Sequence, residues 1–275
     1  MLLLLKLFLV PTLVAAVTLA SRRWGLRIGG VLTGLPMVAG PTLCFYAIEQ
    51  GNAFAASAAR SALLGIIATA AFCVAYARSA ARVAWPVSVI AGWTAFAIVA
   101  AATYGVGDLS GVGELLLASG ALLLARQLVP PPATLSGTSA PPRWDLGLRM
   151  LASAAAVVLL TALASWLGAR LSGMLSAFPV VTLVLAAFTH AQRGHAAVRV
   201  FLRGLLRGLH GFALFCLVFS VALGSLQWPL LAAAVLALAV QMVLQAVMVW
   251  RTASRPDVRP APASVDEIRS QRLTP

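Results

Sequence analysis

Residues 3 to 104 align without a gap on residues 146 to 247, at a constant offset of 143. The matches include Gly25/Gly168, Arg27/Arg170, Gly30/Gly173, Pro36/Pro179, Phe45/Phe188, Gly51/Gly194, Arg60/Arg203, Gly65/Gly208, Phe72/Phe215, Cys73/Cys216 and Trp85-Pro86/Trp228-Pro229. A shared background of small apolar residues would align alanines and leucines. It would not put a Trp-Pro and a Phe-Cys pair on one offset. The chain is one helical unit written twice, so any fold the first copy adopts must also suit the second.

Composition names the solvent in which that unit is repeated. With 61% hydrophobic and 10% charged residues among 275, and a mean hydropathy of +0.96, the chain has more apolar surface than a soluble core of this length hides. Apolar stretches long enough to cross about 30 Å of hydrocarbon run from 3 to 20, 28 to 48, 57 to 77, 85 to 104, 112 to 129, 148 to 168, 172 to 191, 202 to 223 and 229 to 250. The expected fold is an all-α polytopic membrane protein of about nine transmembrane helices. Residues 1–105 form a first four-helix repeat and 106–129 a linker helix. A Pro/Ser/Gly-rich cytoplasmic loop follows over 130–146, then a second repeat over 147–250 and a disordered cytoplasmic tail over 251–275. The first span resembles a signal peptide in ending on Val17-Thr18-Leu19-Ala20, but its arginines follow the apolar run and its repeat partner is internal. It is read as a retained helix.

Charge orients the spans. With the basic tail in the cytoplasm, all Lys and Arg except Lys6, Arg60 and Arg170 fall on the cytoplasmic side, while Asp108 and Glu114 fall outside. The N-terminus is then outside and the C-terminus cytoplasmic. The net charge of +13 reads as a topology signal and an attraction to anionic lipid; nucleic-acid binding is excluded because no soluble module carries it. Five spans separate the start of the two units, and five is odd, so the second unit is inverted relative to the first. Inverted units are the architecture of many secondary transporters. The competing reading is that duplication only made a stable symmetric bundle.

The second helix of each unit carries the expected substrate site. It reads Gly29-Gly30-Val31-Leu32-Thr33-Gly34-Leu35-Pro36 in the first unit and Ser172-Gly173-Met174-Leu175-Ser176-Ala177-Phe178-Pro179 in the second. Proline removes a donor and clashes with the carbonyl four residues earlier, so both helices break there. Freed carbonyls survive in hydrocarbon only where protein or a wet cavity satisfies them. Thr33, Pro36, Ser176 and Pro179 are therefore candidate substrate-binding residues, the alternative being a packing kink.

Ionisable groups in the spans extend the site. Arg199, Arg203, Arg207 and His210 share one helical face, with His190 at similar depth. This stripe suits an anionic substrate or a lipid phosphate, the alternative being snorkelling to the surface. His190, Arg207 and His210 join the candidates, together with Gln241 and Gln245, one turn apart in the last helix where the first unit has Ile98 and Ala102. Glu49, partnered by Gln192, is a coupling candidate or a solvated helix end. Cys44, Cys73 and Cys216 lie in apolar spans and are expected as free thiols. No Walker A run, His-Glu-x-x-His, Cys-x-x-Cys or Gly-x-Ser-x-Gly occurs, so neither an enzyme nor a cofactor or metal site is expected.

Gly173, Phe178-Pro179, Phe188, His190, Arg193-Gly194 and Arg199, with a weaker copy in the first unit, resemble the GlpM-type small four-helix membrane proteins of bacteria. The resemblance covers each unit separately and implies a duplicated, fused four-helix fold, without a reaction or substrate. The architecture is also similar to the drug/metabolite transporter superfamily. The glutamate that its small multidrug exporters carry in the first helix is missing here, where the first span has only Lys6. The expected function is a secondary transporter or exporter of a small anionic or amphipathic molecule, with membrane lipids as partners. The alternatives are a lipid-translocating protein and a non-transporting scaffold or assembly factor.

Overall fold

The computed structural model describes residues 2–36, 38–104, 109–131, 144–164 and 180–253; of these, the side chains of 2–6, 157, 159–164, 180, 252 and 253 are not described. Every regular element among them is a helix. In chain order they are α1 (Leu2–Trp24), α2 (Leu26–Thr33), α3 (Ala39–Gln50), α4 (Asn52–Ser79), α5 (Trp85–Tyr104), α6 (Gly111–Leu128), α7 (Asp145–Ala164), α8 (Val180–Gly224) and α9 (Leu230–Ala253). Six of them, α1, α4, α5, α6, α8 and α9, are long and apolar enough to cross a membrane. The chain thus has the make-up of a multi-pass membrane protein. The loop residues 132–143 and the tail from 254 onward lie outside the described residues, as do Ser176 and Pro179.

The apolar stretch over 28–48 breaks at Pro36, as the proline predicts: it is two short helices, because Pro36 cannot donate to Leu32 and the chain turns before α3 starts at Ala39. Between the spans 172–191 and 202–223 the connection is Gly194 alone: α8 is two helical limbs, Val180 to Arg193 and His195 to Gly224, that meet there in a kink with φ 75° and ψ −178°. Gly51, 143 residues earlier, joins α3 to α4 in the same way, with φ 91° and ψ 164°. Side chains rarely adopt a positive φ, so a single glycine replaces a loop at both places.

Helices α4 and α8 form the centre. In their apolar windows 67% of residues are buried, against 17% in α5 and 22% in α6 and α9, which therefore lie at the periphery. Phe72 and Tyr76 of α4 and Phe201 and Phe219 of α8 are fully buried. Hydroxyls in α1, α3 and α4 cost little in an apolar setting because they turn back on their own backbone: Thr18 to Val14, Thr42 to Val38 and Thr69 to Gly65.

The contacts fix directions. Arg22 in the last turn of α1 meets Asp145 in the first turn of α7, at 2.7 Å. Arg199, near the start of the second limb of α8, donates to the Ala77 carbonyl near the end of α4, at 3.0 Å. At the opposite end, a Cβ on Gly224 would lie 3.2 Å from the Cβ of Ala56, near the start of α4. Both pairs of helices, which correspond by the offset of 143, thus lie side by side in opposite directions. Helix α6 spans the same distance from the other side. Arg60 of α4 binds Glu114 in its first turn and the Leu109 carbonyl before it, whereas Arg203 of α8 donates to the Val129 carbonyl at its end, at 2.6 Å. Ser110 caps α6 by accepting from the Gly113 amide at 3.1 Å.

Candidate functional site

The broken second helix is held between α8 and α9. Gly30 and Gly34 of α2 face Gly204 and Gly208 of α8, each pair one turn apart. A Cβ added to any of the four would strike backbone of the other helix: Gly30 the Phe201 carbonyl, Gly34 the Gly208 carbonyl carbon, Gly204 the Arg27 carbonyl and Gly208 the Val31 carbonyl. This is backbone-to-backbone packing, which small residues allow in membrane helices.

Chain ends created by the break are satisfied by α9. Gln241 donates its amide to the Gly34 carbonyl at 3.1 Å, and Gln245 donates to the Val31 carbonyl. Both glutamines are buried, and their Oε1 atoms have no hydrogen-bond partner among the described residues. The Thr33 hydroxyl bonds its own helix, at Gly29, over 2.8 Å. Pro36 is buried and lies under Gly40. Four of the sequence candidates, Thr33, Pro36, Gln241 and Gln245, are therefore brought together around one helix break.

The cationic stripe divides along its length. Arg199 and Arg203 donate to the carbonyls of Ala77 and Val129, the negative ends of α4 and α6. Arg78 adds a bond to Leu128, at 3.2 Å. Arg207 and His210 sit half-buried further along the limb, with the His210 Nδ1 3.0 Å from the Leu206 carbonyl. The charges of Arg27 and Arg126 act on Arg203, and that of Arg126 on His210, so cations from α2, α6 and α8 gather at this end. His190 stands apart from them. Its Nδ1 lies 3.4 Å from the hydroxyl of buried Tyr76, with the rings edge to face. Glu49 is exposed at the end of α3.

A second polar site has no counterpart among the sequence candidates. Asp145 and Arg149, one turn apart at the start of α7, are buried and paired at 2.9 Å. Arg149 also bonds Gln192 Oε1 at 3.0 Å and lies 4.9 Å above the Phe188 ring. Gln192 in turn donates to Asp145, and Arg22 closes the ring from α1. Asp145 precedes the apolar run that starts at Leu148. Burial opposes its charge, but hydrogen bonds from Gln192 and Arg149, with the Arg149 charge, hold its carboxyl below the ordinary value. Beside the network lies a cavity of about 20 Å³, room for roughly one water, walled by Thr18, Ser21, Thr189 and Arg193. The readable signal was the Asp-x-x-x-Arg spacing that opens an apolar helix, a pair that does not belong in hydrocarbon unless it is neutralised there.

Among the described residues no three His, Cys, Asp or Glu gather as metal ligands. Set against protein-family models, curated proteins and solved structures, the chain matches none.

Proposed function

We propose that this chain is a secondary transporter or exporter of a small anionic or amphipathic molecule, built from two inverted four-helix units around the linker helix α6. One observation carries the reading. Helices that correspond by the repeat offset, α1 with α7 and α4 with the second limb of α8, meet in opposite directions. Opposed equivalents at a shared interface are what a two-fold axis in the membrane plane produces, and such units exchange conformation to open a central site to each side in turn. The shared backbone of Gly51 and Gly194 and the opposite reach of Arg60 and Arg203 along α6 support it.

In this reading the membrane is the bacterial inner membrane, the N-terminus is outside, and the end holding Arg22, Asp145 and Arg199 is cytoplasmic. The substrate passes the break in α2, between Thr33 and Pro36 of the first unit and Ser176 and Pro179 of the second. The cations Arg27, Arg126, Arg203, Arg207 and His210 favour an anion on the inner side. The GlpM-type resemblance fits a unit that was duplicated and fused.

A second reading, a non-transporting scaffold, draws on a different observation. The α2 face expected to line a cavity is closed by glycine contact with α8 and by the glutamines of α9. Purified protein in liposomes, assayed for flux against a panel of small anions, amphipathic molecules and labelled lipids, separates the two. Saturable flux of one class, lost in Pro36→Ala at equal insertion, supports transport. Absence of flux for every class leaves the scaffold.

A further inference from the structure

The corner around Arg149 has a chemical double in the first unit. Moving back by 143 residues takes Arg149, Phe188 and Gln192 to Lys6, Phe45 and Glu49: a cation, a phenyl ring and a polar acceptor at the same spacings. In the second unit the three are assembled. Arg149 is 6% exposed, stacked on Phe188 and bonded to Gln192, and α7 packs on α8. In the first unit the helices that carry the three positions do not pack together. Helix α1 packs on α2, α7 and α8, and makes no extended contact with α3 among the described residues, while Glu49 is exposed. One molecule therefore holds the helices of one corner together and those of its counterpart apart.

The carboxylate has changed places between the two corners. Asp145 sits on the same helix as Arg149, and its counterpart is Leu2; the acid of the first unit is instead Glu49, on the helix across from Lys6. A cation with its acid one turn away stays neutralised whether the corner is open or shut. A lysine whose acid lies across the gap is neutralised by it only when the gap closes.

We infer that Lys6, Phe45 and Glu49 form a second latch, which closes at the opposite face of the molecule when the Arg149–Phe188–Gln192 corner opens. This rests on the transporter reading above and gives it a mechanism: the two corners are alternative closures of one path, and the conformation seen here is the one with the α7–α8 corner shut. Glu49 is then a gate residue, and a ligand that favours either closure shifts the population between them.

The test uses the full chain with Cys44, Cys73 and Cys216 replaced by Ala, in oriented membrane vesicles. One variant carries Lys6→Cys with Glu49→Cys, a second Arg149→Cys with Gln192→Cys, and a third all four. A separate Thr33→Cys reporter, placed in each locked form, is labelled with a membrane-impermeant maleimide from either side. Each pair is expected to close with a short cross-linker. In the four-cysteine chain, closing one should lower closure of the other by about fivefold or more, the lower range of typical coupling between sites, and the reporter should change the side from which it is labelled. Both pairs closing together in one chain, or Lys6–Glu49 failing to close while the reporter still changes sides, overturns the latch and leaves transport standing. A reporter labelled from one side only, or from neither, in every locked form overturns the transport reading itself.

Discussion

Two of the joints between α8 and the rest of the bundle work by opposite means. At the crossing with α2 the contact is made by leaving side chains out: Gly30, Gly34, Gly204 and Gly208 bring backbone onto backbone. At the corner with α1 and α7 it is made by charge, with Arg22, Asp145, Arg149 and Gln192 around a cavity that has room for a water. Dispersion between close-packed backbones falls off within an ångström and has no alternative partner. Hydrogen bonds among charged groups beside a pocket with room for a water can be exchanged for bonds to water at modest net cost. The crossing is thus a fixed joint and the corner one that can open.

Four substitutions sharpen that contrast, beginning with the largest effect. Gly208→Val puts branched atoms into the Val31 carbonyl, where only backbone can yield. A loss on the order of 4 kcal/mol or more is expected, seen as little folded protein recovered by size-exclusion in detergent. Recovery of wild-type amounts would mean that the crossing is looser than described. Asp145→Asn leaves Arg149 buried with Gln192 and Phe188 but without its counter-charge, and should cost about 3 kcal/mol in thermal stability without preventing insertion.

The same group sets a pH dependence. Its folded pKa is depressed, so its stabilising effect is present above the ordinary value of 3.8 and is lost as pH falls from there through the depressed value. The wild type should lose stability in that acid range, and Asp145→Asn should show no such step; parallel curves would remove Asp145 from the network. Gln245→Leu deletes a bond to the Val31 carbonyl but also the buried Oε1, so the net loss should be about 1 kcal/mol, read as a small drop in melting midpoint. Arg60→Lys keeps the charge opposite buried Glu114 and gives up only the second arm of the contact, on a side chain 36% exposed. Water screens it, and less than about 1 kcal/mol should be lost, with the loss shrinking further in high salt.

Much of this architecture was legible in the sequence, for reasons that can be located. Pro36 announces the break between α2 and α3 because a missing donor acts locally. The repeat offset foretells that Gly51 and Gly194 share a conformation, yet not that one glycine suffices where a polar turn was expected, since the helices on both sides continue through polar residues such as Asn52 and His195. Gln241 and Gln245 stood out as polar groups in an apolar helix. Their partners, the Val31 and Gly34 carbonyls, are more than two hundred positions away, and no local pattern points to them. Gly30 and Gly34 drew notice beside a proline, whereas Gly204 and Gly208 passed as helix background until the facing helix was known. Arg22 and Arg149 counted only as topology signals, because a count of charges on a face does not say which of them meet. Ser176 and Pro179, the second unit's share of the expected helix breaks, lie outside the described residues.

The central claim is that the two units are inverted, and Asn52 and His195 test it most directly. They correspond by the repeat offset, each follows the positive-φ glycine of its unit, and both are exposed. In a chain freed of its native cysteines, Asn52→Cys and His195→Cys are each labelled with a membrane-impermeant maleimide in intact cells and in inside-out vesicles. Inverted units require Asn52→Cys to react only in intact cells and His195→Cys only in inside-out vesicles. Labelling of both from the same side would contradict the inversion and the transport mechanism built on it.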